Sequence, residues 1–261
     1  MGHLFDIACN FSSERFDNDL QDVIQRAIEN KVNKFLIVSA SLKEVEKVYE
    51  IYQQNNKNCF FTIGTHPHHA NEFGPSSSKL MTGLVNKYHP NSIGETGLDF
   101  YRNISSYDEQ IYAFDEQIKI SIDSEKPLFL HQRNAHEDFV KTIKPYKNDI
   151  KKAVVHCFTG TQKELDEYLE LDFHIGLTGW ICDERRNINL RKSIKNIPLE
   201  RLMIETDCPY LIPRNLNNKP KNNRNEPAHL PHIANEIAAL ISLDKNELID
   251  ITYKNSINFF S

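Results

Sequence analysis

No two of the five cysteines, Cys9, Cys59, Cys157, Cys182 and Cys208, stand in a C-x-x-C spacing, and their number is odd. A disulfide framework or a structural zinc site therefore has little support. No segment approaches the roughly 20 apolar residues that a membrane-spanning helix needs, and Met1 to Asn10 lack a basic stretch followed by a long apolar one. The expectation is a cytoplasmic protein. Excess positive charge is also missing, because the net charge is −5. A surface coated in cations for wrapping duplex DNA is excluded, so any nucleic-acid contact has to be local.

What is present is an ordinary globular composition, 39% hydrophobic and 26% charged over 261 residues, enough to bury a substantial core. That length exceeds the usual single domain, but α/β barrels commonly reach it as one unit, and residues 1–261 are expected to form one domain. Short β-branched or aromatic runs alternate with segments of helical period. The runs are Leu4 to Cys9, Lys34 to Ala40, Cys59 to Thr65, Ser92 to Gly97, Pro127 to Gln132, Ala153 to Phe158, Phe173 to Thr178 and Leu202 to Asp207. Most are continuously apolar, as parallel strands covered on both faces are. Helices are clearest at Asp17 to Asn30, Leu42 to Asn55, Tyr107 to Ser124, Ala135 to Pro145 and Lys163 to Leu171, with Ile233 to Leu240 and Lys245 to Phe259 closing the chain. Such βα units most economically close into a TIM (β/α)₈ barrel, with an open doubly wound sheet as the alternative.

Polar residues able to bind metal occur where the apolar runs end. His66 follows the third, Glu95 lies in the fourth, His131 in the fifth, His156 in the sixth, and Asp207 closes the eighth. In a barrel these strand ends converge on one face. A lone strand-end histidine is more often structural than a ligand, but five groups together form a mixed N/O set suited to Mg, Mn or Zn. A divalent ion there would polarise a phosphoryl oxygen and activate water, while a carboxylate accepts the proton, so phosphodiester hydrolysis follows naturally. Cys157 directly follows His156 and is expected on the opposite strand face, as a core residue and not a nucleophile.

Gly64-Thr65-His66-Pro67-His68, Ile93-Gly94-Glu95-Thr96-Gly97-Leu98-Asp99-Phe100 and His156-Cys157-Phe158-Thr159-Gly160 resemble the motifs of the TatD family. Leu202-Met203-Ile204-Glu205-Thr206-Asp207-Cys208-Pro209-Tyr210 and Arg224-Asn225-Glu226-Pro227-Ala228-His229-Leu230 extend the resemblance over nearly the whole chain. It implies a metallo-dependent hydrolase barrel in which Glu95 bridges metal, His131 and His156 are ligands, Asp207 is a ligand or proton acceptor, and His66 contacts substrate or phosphate. It further implies a magnesium-dependent 3′ to 5′ exonuclease preferring single-stranded DNA, with RNA as a second substrate class and a role in DNA repair. A monomer is expected. Many relatives carry His-x-His on the first strand, where Ala8-Cys9-Asn10 stands here. Alanine cannot ligate a metal, and Asp6 and Asn10 are the only oxygen donors nearby, so the first metal position is in question.

The polar stretch from Pro213 to Pro227 places Arg214, Lys219, Lys221 and Arg224 after the eighth strand, on the face of Asp207. These cations are candidates for holding phosphates, with Arg102, Arg133, Arg185 and Arg186 as weaker ones. Phe100, Tyr101 and Trp180 are candidates for stacking on bases. Two further readings stand beside a nuclease: an amidohydrolase acting on a small amide, ester or lactone, and a binding barrel with a degenerate metal site.

Overall fold

The computed structural model describes residues 2–185 and 187–261. Its strands are β1 (Leu4–Cys9), β2 (Val32–Ile37), β3 (Cys59–Ile63), β4 (Ser92–Asp99), β5 (Leu128–Arg133), β6 (Ala153–Val155), β7 (His174–Leu177) and β8 (Leu202–Ile204). They form one sheet in the order β1-β2-β3-β4-β5-β6-β7-β8, every neighbouring pair parallel. A doubly wound sheet would reverse its order at a switch point, and this one does not. The sheet instead curls until its ends meet, where Cys9 bridges Cys208 and the Asn10 amide donates to the Cys208 carbonyl at 2.9 Å. The architecture is the TIM barrel.

Alternation along the strands sorts the core into two shells. Leu36, Phe129, Val154 and Met203 point into the barrel and pack with Phe5, Ile7 and Val38, while Phe259 and Phe260 of the C-terminal helix Lys245–Phe260 join the same cluster. The residues between them, such as Phe35, Leu128, Leu130, Val155 and Ile204, face the surrounding helices. The same parity carries the chemistry. His131 stands two residues beyond Phe129, His156 two beyond Val154, and Glu205 and Asp207 two and four beyond Met203. Each continues an inward-facing row above the apolar plug.

Some boundaries differ from the sequence expectation for identifiable reasons. The sixth and eighth runs stop being strand at Val155 and Ile204, because the backbone then turns through left-handed conformations at Cys157 (φ 49°) and Asp207 (φ 56°). The helix Pro75–Tyr88 was not among those expected: three serines occupy its first turn, and only Met81, Val85 and Tyr88 bury themselves. A short helix, Ile188–Ser193, was also not foreseen.

The seam between β1 and β8 is held largely by side chains. The fully buried Asp6 carboxylate accepts from the amides of Ala8 and Thr206, at 3.3 and 2.9 Å, and from the Thr206 hydroxyl. Burial pushes its pKa up to about 7 despite those bonds. With its oxygens so engaged, Asp6 is a fastener and not a donor to the cleft, although Cys9 and Cys208 lie close enough for the three to resemble a metal cluster.

Candidate metal centre and nucleic-acid cleft

Glu95 reaches its position because β4 presses unusually close to β5. Gly94 and Gly97 adopt φ of 149° and 144°, and a Cβ on them would sit 2.3 Å from the Phe129 carbonyl and 1.9 Å from the His131 carbonyl. Only residues without a side chain allow that approach. It sets one carboxylate oxygen, Glu95 Oε1, at 3.0 Å from His131 Nδ1, 2.8 Å from His156 Nε2 and 3.3 Å from His66 Nε2. Three strand ends thus deliver three imidazoles to a single point.

Hydrogen bonding distinguishes these imidazoles. His66 Nδ1 accepts from the His68 amide at 3.0 Å, so its proton belongs on Nε2, which faces Glu95 as a donor. His131 turns the opposite nitrogen, Nε2, towards Asp99 Oδ2 at 3.5 Å, and His156 turns Nδ1 towards Glu205 Oε1 at 3.5 Å. A carboxylate behind an imidazole favours the proton on the rear nitrogen and leaves the front one as a ligand. Both rear nitrogens are buried without any closer partner. His66, Glu95 and His131 offer donor atoms close enough together to hold an ion, and the hydrogen bonding leaves His131 and His156 able to present a lone pair while His66 is disposed to donate from Nε2.

The electrostatics follow from the same contacts. Burial would push the Glu95 carboxyl up, but the neighbouring imidazoles outweigh it and hold the group well below the carboxylate range. Burial likewise works to neutralise His131 and His156, yet the facing carboxylates prevail and raise both, His156 strongly. For His66 burial prevails, and its pKa falls to about 4. Asp207 is raised to about 7, chiefly by burial, with His156 and the Asn10 amide pulling the other way. Asn10 Nδ2 donates to Asp207 Oδ1 at 3.0 Å, so the asparagine at the end of Ala8-Cys9-Asn10 orients that carboxylate.

Asp99, His68 and Glu205 were not singled out from the sequence, although Asp99 and Glu205 share strand faces with assigned residues: Asp99 lies four beyond Glu95 and Glu205 two before Asp207. Asp99 Oδ2 lies 2.8 Å from His68 Nε2, and its bonds to His68 and His131 hold the carboxyl low against the opposing effect of burial. Cys157 corrects the alternation argument. Its left-handed backbone returns it to the cleft lining, where burial, Asp207 and Glu205 push its thiol up and disfavour the thiolate.

The centre lies at the floor of a cleft of about 550 Å³, lined by Asn10, Arg102, Ile104, Arg133, Trp180 and Tyr210 among others. Arg102 and Arg133 therefore border it, while Arg214, Lys219, Lys221 and Arg224 do not. Arg224 overturns an expectation: its guanidinium is buried, bonded to Asp19 at 2.6 and 2.8 Å and to Glu226 at 2.7 Å, so it braces the loop and is unable to meet a phosphate. Arg214 and Arg185 both pair with Asp183, Lys219 and Lys221 are exposed, and Arg186 lies outside the described residues. Phe100 packs against the core and Tyr107, Trp180 lines the cleft, and Tyr101 is exposed and does not line it.

The sequence and the barrel both have counterparts among known proteins. Residues 5–261 match the family described as TatD related DNase. A 3′-5′ ssDNA/RNA exonuclease TatD of Rahnella sp. (strain Y9602) is 42% identical over 258 residues, covering 99% of this chain and 98% of that protein. A TatD family hydrolase of Entamoeba histolytica superposes with a TM-score of 0.88 at 28% identity, over 100% and 99% of the two chains. An uncharacterized amidohydrolase of Saccharomyces cerevisiae gives 0.89 at 25% identity over 100% of both. Among the described residues no helix is long and apolar enough to cross a membrane.

Proposed function

The chain belongs to the TatD related DNase family, and from that membership we propose that it is a divalent-metal-dependent nuclease shortening single-stranded DNA, and RNA as a second substrate, from the 3′ end. The observation that carries this reading is the convergence of three imidazoles on Glu95 Oε1, with Asp207 beside them. Residues 1–261 act as one barrel domain, a reading supported by the single sheet that runs from β1 to β8. Magnesium is the ion proposed, because two carboxylates join two imidazoles and hard cations prefer oxygen. Cytoplasmic location and a role in DNA repair belong to the same proposal.

His131, His156, Glu95 and Asp207 would hold the ion, which when bound supplies a Lewis acid for a phosphoryl oxygen and lowers the pKa of water. The protein's own groups do the rest. Asp99 and Glu205 keep the two ligand imidazoles in the tautomer that presents a lone pair forwards. His66 offers its Nε2 proton to a phosphate oxygen, and Arg102 and Arg133 at the cleft wall supply cationic contacts. Asp207 accepts a proton at the carboxylate that Asn10 orients.

The test is hydrolysis of single strands labelled at either end, with magnesium, with chelator, and after magnesium is restored. Ladders shortening from the 3′ end, abolished by chelator and recovered with magnesium, are expected. Binding without turnover under magnesium, manganese and zinc would leave the barrel a nucleic-acid-binding protein, and turnover restricted to amides, esters or lactones would make it an amidohydrolase.

A further inference from the structure

Two arginines behave unlike the others. Among the described residues every other arginine donates to a protein carboxylate or carbonyl: Arg15 to backbone oxygens, and the rest to acidic side chains. Arg102 and Arg133 have no such bond from their guanidinium groups, and both line the cleft. A guanidinium left unpaired beside a catalytic centre is placed for a ligand.

Arg133 is also held in a particular way. Its guanidinium carbon lies 3.9 Å from the centroid of the Tyr101 ring, a stacking distance. Tyr101 remains 58% exposed and does not itself line the cleft, which the pair meets through Arg133, so the stack stands in solvent and not in the core. Both ends of the pair are fixed. Arg133 ends β5, two residues beyond His131, and Tyr101 sits in the turn after β4, where its amide and that of Arg102 donate to Asp99 Oδ1 at 3.0 and 2.8 Å. The other oxygen of that carboxylate faces His68 and His131. One aspartate thus ties the orientation of a ligand histidine to the loop bearing the stack. Trp180 and Tyr210 supply further aromatic surface to the cleft, Tyr210 being 52% exposed.

A guanidinium with one face covered by an aromatic ring presents a second flat face, which nucleobases stack on without regard to sequence. We propose that the Tyr101–Arg133 stack is the seat of the terminal nucleobase, with the plane of Arg133 sandwiched between the Tyr101 ring and the base. Arg102, beside it on the turn, meets the phosphate. The proposal rests on the nuclease reading and adds how the strand end is gripped: by the face of a base of any identity, in a protein whose charge of −5 gives little general attraction for phosphates.

The experiment separates stacking from charge. R133A, R133K and Y101A are compared with wild type on a single strand ending in a normal 3′ nucleotide and on the same strand ending in an abasic one. On the normal strand all three should raise KM about tenfold or more with little change in kcat, since a lysine keeps the charge but loses the plane. On the abasic strand wild type and variants should converge. If R133K restores KM, or the loss is equal on both strands, Arg133 is a phosphate contact and the proposal falls. Quenching of a terminal 2-aminopurine, read at equilibrium, gives a second arm independent of cleavage. Quenching that is lost in Y101A and R133A upholds the base seat even if no strand is hydrolysed, in which case only the nuclease reading fails. Quenching unaffected by either substitution overturns the seat even in an active nuclease.

Discussion

His156 is buried and His174 partly buried, both stand at a strand of the same barrel, and both lie against a phenylalanine. The His156 ring is 4.6 Å from Phe129, and that of His174 is 4.9 Å from Phe259. Their chemistry nevertheless diverges. His156 lies between Glu95 and Glu205, which raise its proton affinity strongly against the cost of burial. His174 lies at the other end of the barrel, where burial pushes its pKa down to about 4 and the charges of Arg201 and Lys152 reinforce the effect. Desolvation acts on both rings, so the carboxylates on either side of His156 account for the opposite directions of the two shifts.

Removing the carboxylate at the centre should break that contrast most severely. E95Q keeps the shape but takes away the charge on which three imidazoles converge. Cleavage should fall on the order of 10³-fold or more, the scale of losing a preorganised electrostatic group. Divalent-ion affinity measured by calorimetry should fall with it, while circular dichroism shows an intact barrel. Activity within a few-fold of wild type would remove Glu95 from the centre.

A smaller loss is expected from D207N, which preserves size and most hydrogen bonding but deletes the proton acceptor. Single-turnover hydrolysis should slow by roughly 10² to 10⁴-fold, the range of a general base, with single-strand binding little changed. Partial rescue at high magnesium would assign Asp207 to the metal as ligand. Near wild-type rates at ordinary magnesium would assign it a structural role.

The smallest effect belongs to the opposite end and concerns stability alone. His174 has a folded pKa of about 4, below the ordinary value of 6.5. Between those values the unfolded chain binds a proton that the folded chain refuses, so stability should decline as pH falls from 6.5 towards 4. H174F should flatten that decline. The gap between variant and wild type in urea melts should change by about 1 to 3 kcal/mol across the window, with activity at neutral pH unaffected. Parallel curves would show that His174 is already solvated.

Most of the barrel was legible because hydrophobic pattern is local. Leu4–Cys9 reads directly as a strand, and the parity that puts Phe129 inside puts His131 inside as well. Legibility fails where the chain leaves that period. Cys157 was expected on the outer face, and one left-handed residue turned it into the cleft. Arg224 was expected on phosphate, yet its partner Asp19 lies 205 positions away, a separation no spacing rule spans.

The residue types themselves determined that a metal and a phosphodiester are suitable partners: two imidazoles, two carboxylates and the strand ends that carry them are properties of the sequence. Only the tertiary structure decided the division of labour. His66 and His156 are the same residue type near strand ends, and what sets which ring nitrogen carries the proton is the group behind each ring, a backbone amide in one case and Glu205 in the other. Likewise Arg133 and Arg224 are alike in sequence, but one reaches the cleft unpaired on Tyr101 and the other is spent on Asp19. Proton position and charge availability depend on what lies within about 4 Å, and at that range the neighbours are chosen by the closure of the barrel.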